Sequence, residues 1–170
     1  FGGFNIINFS KNKISVNSIN IPENKIKNLL DNMVLYFTGL QRHAQVIEKN
    51  KIENLDKNED FLKKIYSNAI EAKNILYSKK KSFLPELGGL LNKSWELKKK
   101  LSPKVSNKKI DRLIKFGLRN GASGAKLLGA GGGGFILYLT NNQTQKKKLI
   151  GKLSKFKIIN FKIDQLGGQI

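Results

Sequence analysis

The chain has no cysteine and a single histidine, His43, among 170 residues. Without cysteine there is no disulfide frame, no thiolate nucleophile and no Cys-type zinc site. One histidine alone builds neither a triad nor a metal centre. No apolar run approaches the ~20 residues that a membrane span needs, so no membrane role is expected. No signal peptide is visible, and the expected compartment is the cytoplasm. Acid is scarce: 12 Asp and Glu stand against 32 Lys and Arg, a net charge of +20. Between Asp111 and Asp164 there is none. An initiator Met is also missing, and Phe1-Gly2-Gly3-Phe4 opens on what reads as the middle of a fold. The chain is therefore expected to be a piece of a longer protein.

At 39% hydrophobic residues the chain can bury a core and does not read as disordered. The basic excess is almost all Lys and is spread along the chain, as a general compositional bias would leave it. It would equally suit a phosphorylated, nucleic-acid or anionic-membrane partner. The acid-free stretch sharpens this, because it contains Gly129-Ala130-Gly131-Gly132-Gly133-Gly134, five glycines in six residues. Such a loop has few side chains between its backbone and a ligand, and consecutive N–H groups there form a nest for an anion. A plain turn asks for only one or two glycines with φ > 0.

Alternation and turn signals predict a hairpin from Phe4–Phe9 and Ile14–Ile19. Pro22 and the polar run after it read as a connection. Met33–Thr38 is a buried strand ended by Gly39. Helices follow over Gln41–Lys49, Asn58–Ser78 with Asn58 as N-cap, Pro85–Leu101, and Asn107–Arg119. Gly88-Gly89 weakens the third of these. Ala125–Leu128 and Phe135–Leu139 are strands flanking the glycine loop. Thr144–Leu153 is a Lys-rich helix, and Phe156–Ile163 is a last strand. The predicted fold is α+β. It is a ferredoxin-like split βαβ, an antiparallel sheet with helices on one face and an enlarged helical insert. A hairpin from an incomplete N-terminal domain precedes it. Residues 1–30 are expected to be the remnant of that domain and 31–170 the C-terminal domain.

Several motifs fail. Gly129, Gly131 and Gly134 match G-x-G-x-x-G, but a strand follows the loop and no acid appears until Asp164. A P-loop needs Lys where Phe135 stands. Protein-kinase H-R-D and D-F-G motifs are absent. An RNA-recognition fold shares the βαββαβ order. The octamer Gly131–Tyr138 misses its basic first position and has Gly133 where an aromatic should stack. Trp95 fits either the core or a stacking platform, with Lys98 one turn away. Arg42 follows a strand end and fits either a surface salt bridge or a ligand.

The segment Gly124–Phe135 resembles the third motif of the GHMP kinases. Leu35–Arg42 resembles the F-T-G-x-x-R segment of the sugar-kinase branch. Glu86–Lys98 resembles its L-G-x-L-L-x-x-S-W-x-L-K helix, and Phe1–Asn5 its F-G-G-F-N strand. Together these look most similar to D-glycero-D-manno-heptose 7-phosphate kinases and fucokinase-like enzymes. The resemblance implies a kinase that uses ATP and Mg²⁺ to phosphorylate a sugar or sugar-phosphate hydroxyl. It implies that the Ser-rich nucleotide loop and the catalytic Asp precede Phe1, so no catalytic residue is expected here and the chain alone should be inactive. It places Gly129, Ala130, Gly131, Gly132, Gly133 and Gly134 at the phosphate and substrate. Lys126, Arg42, Trp95 and Lys98 are candidate substrate contacts. No nucleic-acid partner is implied. The alternatives left open are a βαββαβ RNA-binding module and a small-molecule-binding regulatory domain.

Overall fold

The computed structural model describes residues 1–41, 52, 54–164 and 166–168. Two sheets form. Strands β1 (Asn5–Phe9) and β2 (Ile14–Ser18) make an antiparallel hairpin pairing Ile7 with Val16. The second sheet holds β3 (Met33–Phe37), β4 (Gly124–Leu127), β5 (Phe135–Leu139) and the two-residue β6 (Ile158–Ile159). Its order is β4-β5-β3-β6, with every neighbouring pair antiparallel. Strand β5 thus separates β3 from β4, the arrangement expected of a split βαβ.

Helix α1 (Glu23–Asp31) occupies the segment expected to be a plain connection. Ile26, Leu29 and Leu30 recur at helical spacing, and Leu29 is buried. Helix α2 is Leu55–Tyr77 and α3 is Leu84–Lys100, with Pro85 in its first turn. Asn58 does not cap α2. It lies inside the first turn, buried, and donates Nδ2–H to Leu101 O at 2.9 Å. Helix α4 (Lys108–Arg119) is capped by Asn107, whose side chain accepts from the N–H groups of Lys109 and Ile110. Helix α5 is Gln143–Lys152, capped by Asn142.

Strand alternation divides the sheet's residues. Val34, Tyr36, Ala125, Leu127, Ile136 and Tyr138 share a core with Ile110 and Ile114 of α4 and Leu149 of α5. Tyr138 donates its hydroxyl to Leu113 O at 2.8 Å. A second cluster joins Leu139 to Leu29, Ile75, Phe83, Leu84 and Leu90, with Met33 packed against it. The helical insert therefore runs along the β4 edge and reaches the other side of the sheet at one end. Near that cluster, Lys25 donates to Ile75 O and Ser78 O at the end of α2, and its ammonium lies 4.6 Å from the Phe83 ring centroid. At the opposite end Phe37, Phe135 and Ile159 keep partial exposure.

The last strand is shorter than expected. A 3₁₀ turn over Lys155–Lys157 precedes it, and only Ile158 and Ile159 pair with β3. The chain then leaves the sheet toward the hairpin, where Gly3 N–H donates to Asp164 O at 2.7 Å. The helix expected over Gln41–Lys49 lies outside the described residues, apart from Gln41.

Candidate functional site

The glycine loop joins β4 to β5 and is pinned from two sides. Thr38, just past β3, donates both its N–H (2.9 Å) and its hydroxyl (2.8 Å) to Gly134 O. Gly134 N–H returns a bond to Leu40 O at 2.9 Å. On the other side Gly132 N–H donates to Val105 O at 2.8 Å, in the turn before α4. The glycines follow from this framework. A Cβ on Gly133 would lie 2.6 Å from Leu40 O. Gly131, at φ +125°, passes Val105 so closely that a Cβ would lie 2.8 Å from its Cα.

The loop's N–H groups do not form one unbroken nest. Gly132 is buried, and both it and Gly134 spend their N–H groups on the protein. Among the described residues, the N–H groups of Gly129, Gly131 and Gly133 have no protein partner. The loop walls a cleft of ≈ 990 Å³, lined also by Phe37, Leu40, Gln41, Leu128, Phe135 and Ile159. The Phe37 and Phe135 rings pack 5.3 Å apart along it. Ala130 belongs to the same wall.

Lys98 reaches this loop from α3. Its Nζ donates to Gly129 O and, at 3.4 Å, to Leu127 O. It therefore braces the loop through its backbone. Trp95, one turn earlier, lies in the core, the first of its two sequence readings, which speaks against it as a substrate contact. It is 2% exposed, in the cluster that contains Val105, Ala125 and Leu127, and no ligand reaches its ring. Lys126 stands on β4 opposite Leu137, on the sheet face that carries Phe135 and Phe37. It is half-buried, and desolvation lowers its pKa below the usual lysine value. Arg42 and His43 lie outside the described residues.

Sequence reasoning missed Thr38, Leu40 and Val105 as anchors of the loop. Thr38-Gly39 was visible as a strand end, but its hydroxyl bond to Gly134 spans the whole insert. The RNA-binding alternative loses support here: Tyr138, the aromatic at the end of its octamer, is fully buried and cannot stack on a base. Among the described residues no three His, Asp or Glu side chains gather as a metal site. None of their helices is long and apolar enough to cross a membrane.

Comparison with known proteins gives the family. The family description "GHMP kinases C terminal" matches residues 62–159. D-glycero-alpha-D-manno-heptose 7-phosphate kinase of Campylobacter jejuni is 37% identical over 158 residues, covering 91% of this chain and 45% of that protein. The chain thus spans about half the length of this curated relative. A D-glycero-D-manno-heptose 1-phosphate kinase from Bacteriodes thetaiotaomicron superposes with a TM-score of 0.67 at 25% identity, covering 97% of this chain and 44% of that one. L. major mevalonate kinase shares the fold, with a TM-score of 0.68 at 20% identity over 86% of this chain and 43% of its own. The chain belongs to the GHMP kinase family and carries its C-terminal domain.

Proposed function

We propose that the whole protein is an ATP- and Mg²⁺-dependent sugar kinase acting on a hydroxyl of a phosphorylated heptose, and that this chain supplies one wall of its cleft. Residues 31–170 form the C-terminal domain in this reading, and 1–30 belong to the preceding one. The relatives' names support the substrate class. The observation that carries the assignment of the wall is the loop itself. Three N–H groups without a partner among the described residues, at Gly129, Gly131 and Gly133, stand on a stretch of cleft wall whose one side chain is that of Ala130.

Phosphoryl transfer is mostly positioning and charge stabilisation. Fixed N–H donors fit a phosphate oxygen and offset its charge without reorganising. ATP, when bound, supplies the phosphoryl group. The described residues that line the cleft include no carboxylate to hold Mg²⁺, and no step here runs through that ion. Lys126 adds a cation on the same sheet face, and Arg42 remains a candidate substrate contact.

The test uses the full-length protein with ATP and D-glycero-D-manno-heptose 7-phosphate. Gly129 has φ +68°, and a Cβ there meets nothing within 4 Å. Asn and Asp both tolerate that conformation. Gly129→Asp sets a carboxylate beside the N–H groups, and Gly129→Asn is its neutral control. The Asp variant is expected to lose at least about tenfold more kcat/KM than the Asn variant. Equal activities would remove the loop from anion binding. Absence of ATP-dependent transfer in the wild type would overturn the kinase reading.

A further inference from the structure

We propose that Lys157 binds an anionic group, a phosphate monoester on the acceptor substrate, beside the cleft that the glycine loop lines. This rests on the kinase reading and gives it a specificity residue. Lys157 closes the 3₁₀ turn before β6 and is half-buried. Its Nζ lies against Gly39: a Cβ built there would be 3.4 Å from Nζ and 3.8 Å from Cε. The ammonium thus occupies space that a side chain at residue 39 would contest. Phe37 and Leu40, on either side of Gly39 in the chain, both line the cleft, as does Ile159, two residues beyond Lys157.

No ion pair or hydrogen bond engages this ammonium among the described residues. The salt bridges that do form among them lie on α1, α2, α3 and the turn before α3. Nor is a carboxylate near in the sequence: from 112 to 163 there is none. Among the described residues that line the cleft none is acidic, and several are apolar. This half-buried cation has no counter-charge among the described residues. An incoming anion therefore gains more from it than from an exposed lysine. A lysine on a four-carbon stem meets a phosphate as a mobile point charge. Together with the loop N–H groups, this ammonium gives the cleft a second contact for an anion.

The experiment measures binding to full-length protein by titration calorimetry. It compares wild type, Lys157→Gln and Lys157→Arg. The probes are D-glycero-D-manno-heptose 7-phosphate, the same heptose without its phosphate, and ATP. Lys157→Gln is expected to weaken the heptose phosphate about tenfold or more. The dephosphorylated sugar and ATP should bind as to wild type, and Lys157→Arg should retain most of the affinity. A loss confined to ATP would move the cation to the donor and overturn the proposal. So would equal losses for both sugars, or no loss at all. A wild type that still transfers phosphate while Lys157→Gln binds the heptose phosphate normally would sink this inference alone. A wild type that neither binds nor phosphorylates any sugar would sink the kinase reading with it.

Discussion

Gly88 of α3 and Gly124 of β4 meet backbone to backbone. A Cβ on Gly124 would lie 2.4 Å from the Gly88 carbonyl oxygen, and one on Gly88 would lie 3.0 Å from the Ser123 carbonyl carbon. Helix and strand can sit this close only because neither carries a side chain at the crossing. Gly124→Ala is therefore expected to destabilise the chain by about 1–3 kcal/mol, the usual cost of overpacking. Gly89 is the control. A Cβ there meets nothing within 4 Å, in a helix interior, so Gly89→Ala should stabilise by up to about 1 kcal/mol. Urea denaturation of both variants checks the opposite signs.

Tyr138 makes an alkaline prediction. Burial raises its phenol pKa above the ordinary value, with nearby Tyr36 as a smaller cause. The unfolded chain ionises first, so this stabilising contribution is intact below about pH 10, the unfolded pKa, and declines as pH rises through the folded value. Tyr138→Phe removes the bond to Leu113 O at a cost of about 1 kcal/mol near neutrality. Its stability should also fall less steeply above pH 10. Denaturation midpoints from pH 7 to 11 decide it, and parallel curves would contradict the burial argument.

Lys126 works in the other direction. Desolvation lowers its folded pKa, so its charge opposes folding at neutral pH. That penalty is relieved as pH rises from the folded value toward the unfolded one. Lys126→Met should raise the thermal midpoint of the chain. If the side chain also serves the substrate, kinase activity of the full-length protein should drop in the same variant. A lower midpoint would mean that the ammonium has a stabilising role.

Lys98→Met should leave folding nearly unchanged but loosen the glycine loop at Gly129. In the proposed full-length kinase, kcat is expected to fall about tenfold, the scale of one charge-assisted bond. Sugar binding should change less, and Lys98→Arg should recover part of the rate. An unaltered kcat with a lowered thermal midpoint would reduce Lys98 to a structural brace.

Most of the architecture was legible because it is periodic. The strand at Phe135–Leu139 and the helix capped by Asn107 follow from alternation and capping chemistry. Helix α1 was hidden by its polar residues, although Ile26, Leu29 and Leu30 carried the spacing. Asn58 looked like a cap because capping residues and buried polar residues are chemically the same, and only Leu101, far along the chain, tells them apart. The candidate site was legible as a composition and not as a geometry. Five glycines announced a loop. They did not say that Gly132 and Gly134 would turn their N–H groups inward, since Val105 and Leu40 set that. Trp95 and Lys98 share a helix face by spacing, but one enters the core and the other bends to the loop. Lys157 had no sequence signal beyond being one lysine among many.

The bonds from Thr38, Leu40 and Val105 to the loop have a consequence for motion. A glycine-rich segment left to itself loses much conformational freedom when a ligand orders it. Here that loss is already met in folding, because three distant points of the chain hold the loop at Gly132 and Gly134. A ligand arriving at this wall meets donors fixed in advance and gives up little of its binding free energy to arrange them. In the proposed kinase, any closure around a substrate would fall to another part of the protein, moving against this stationary wall.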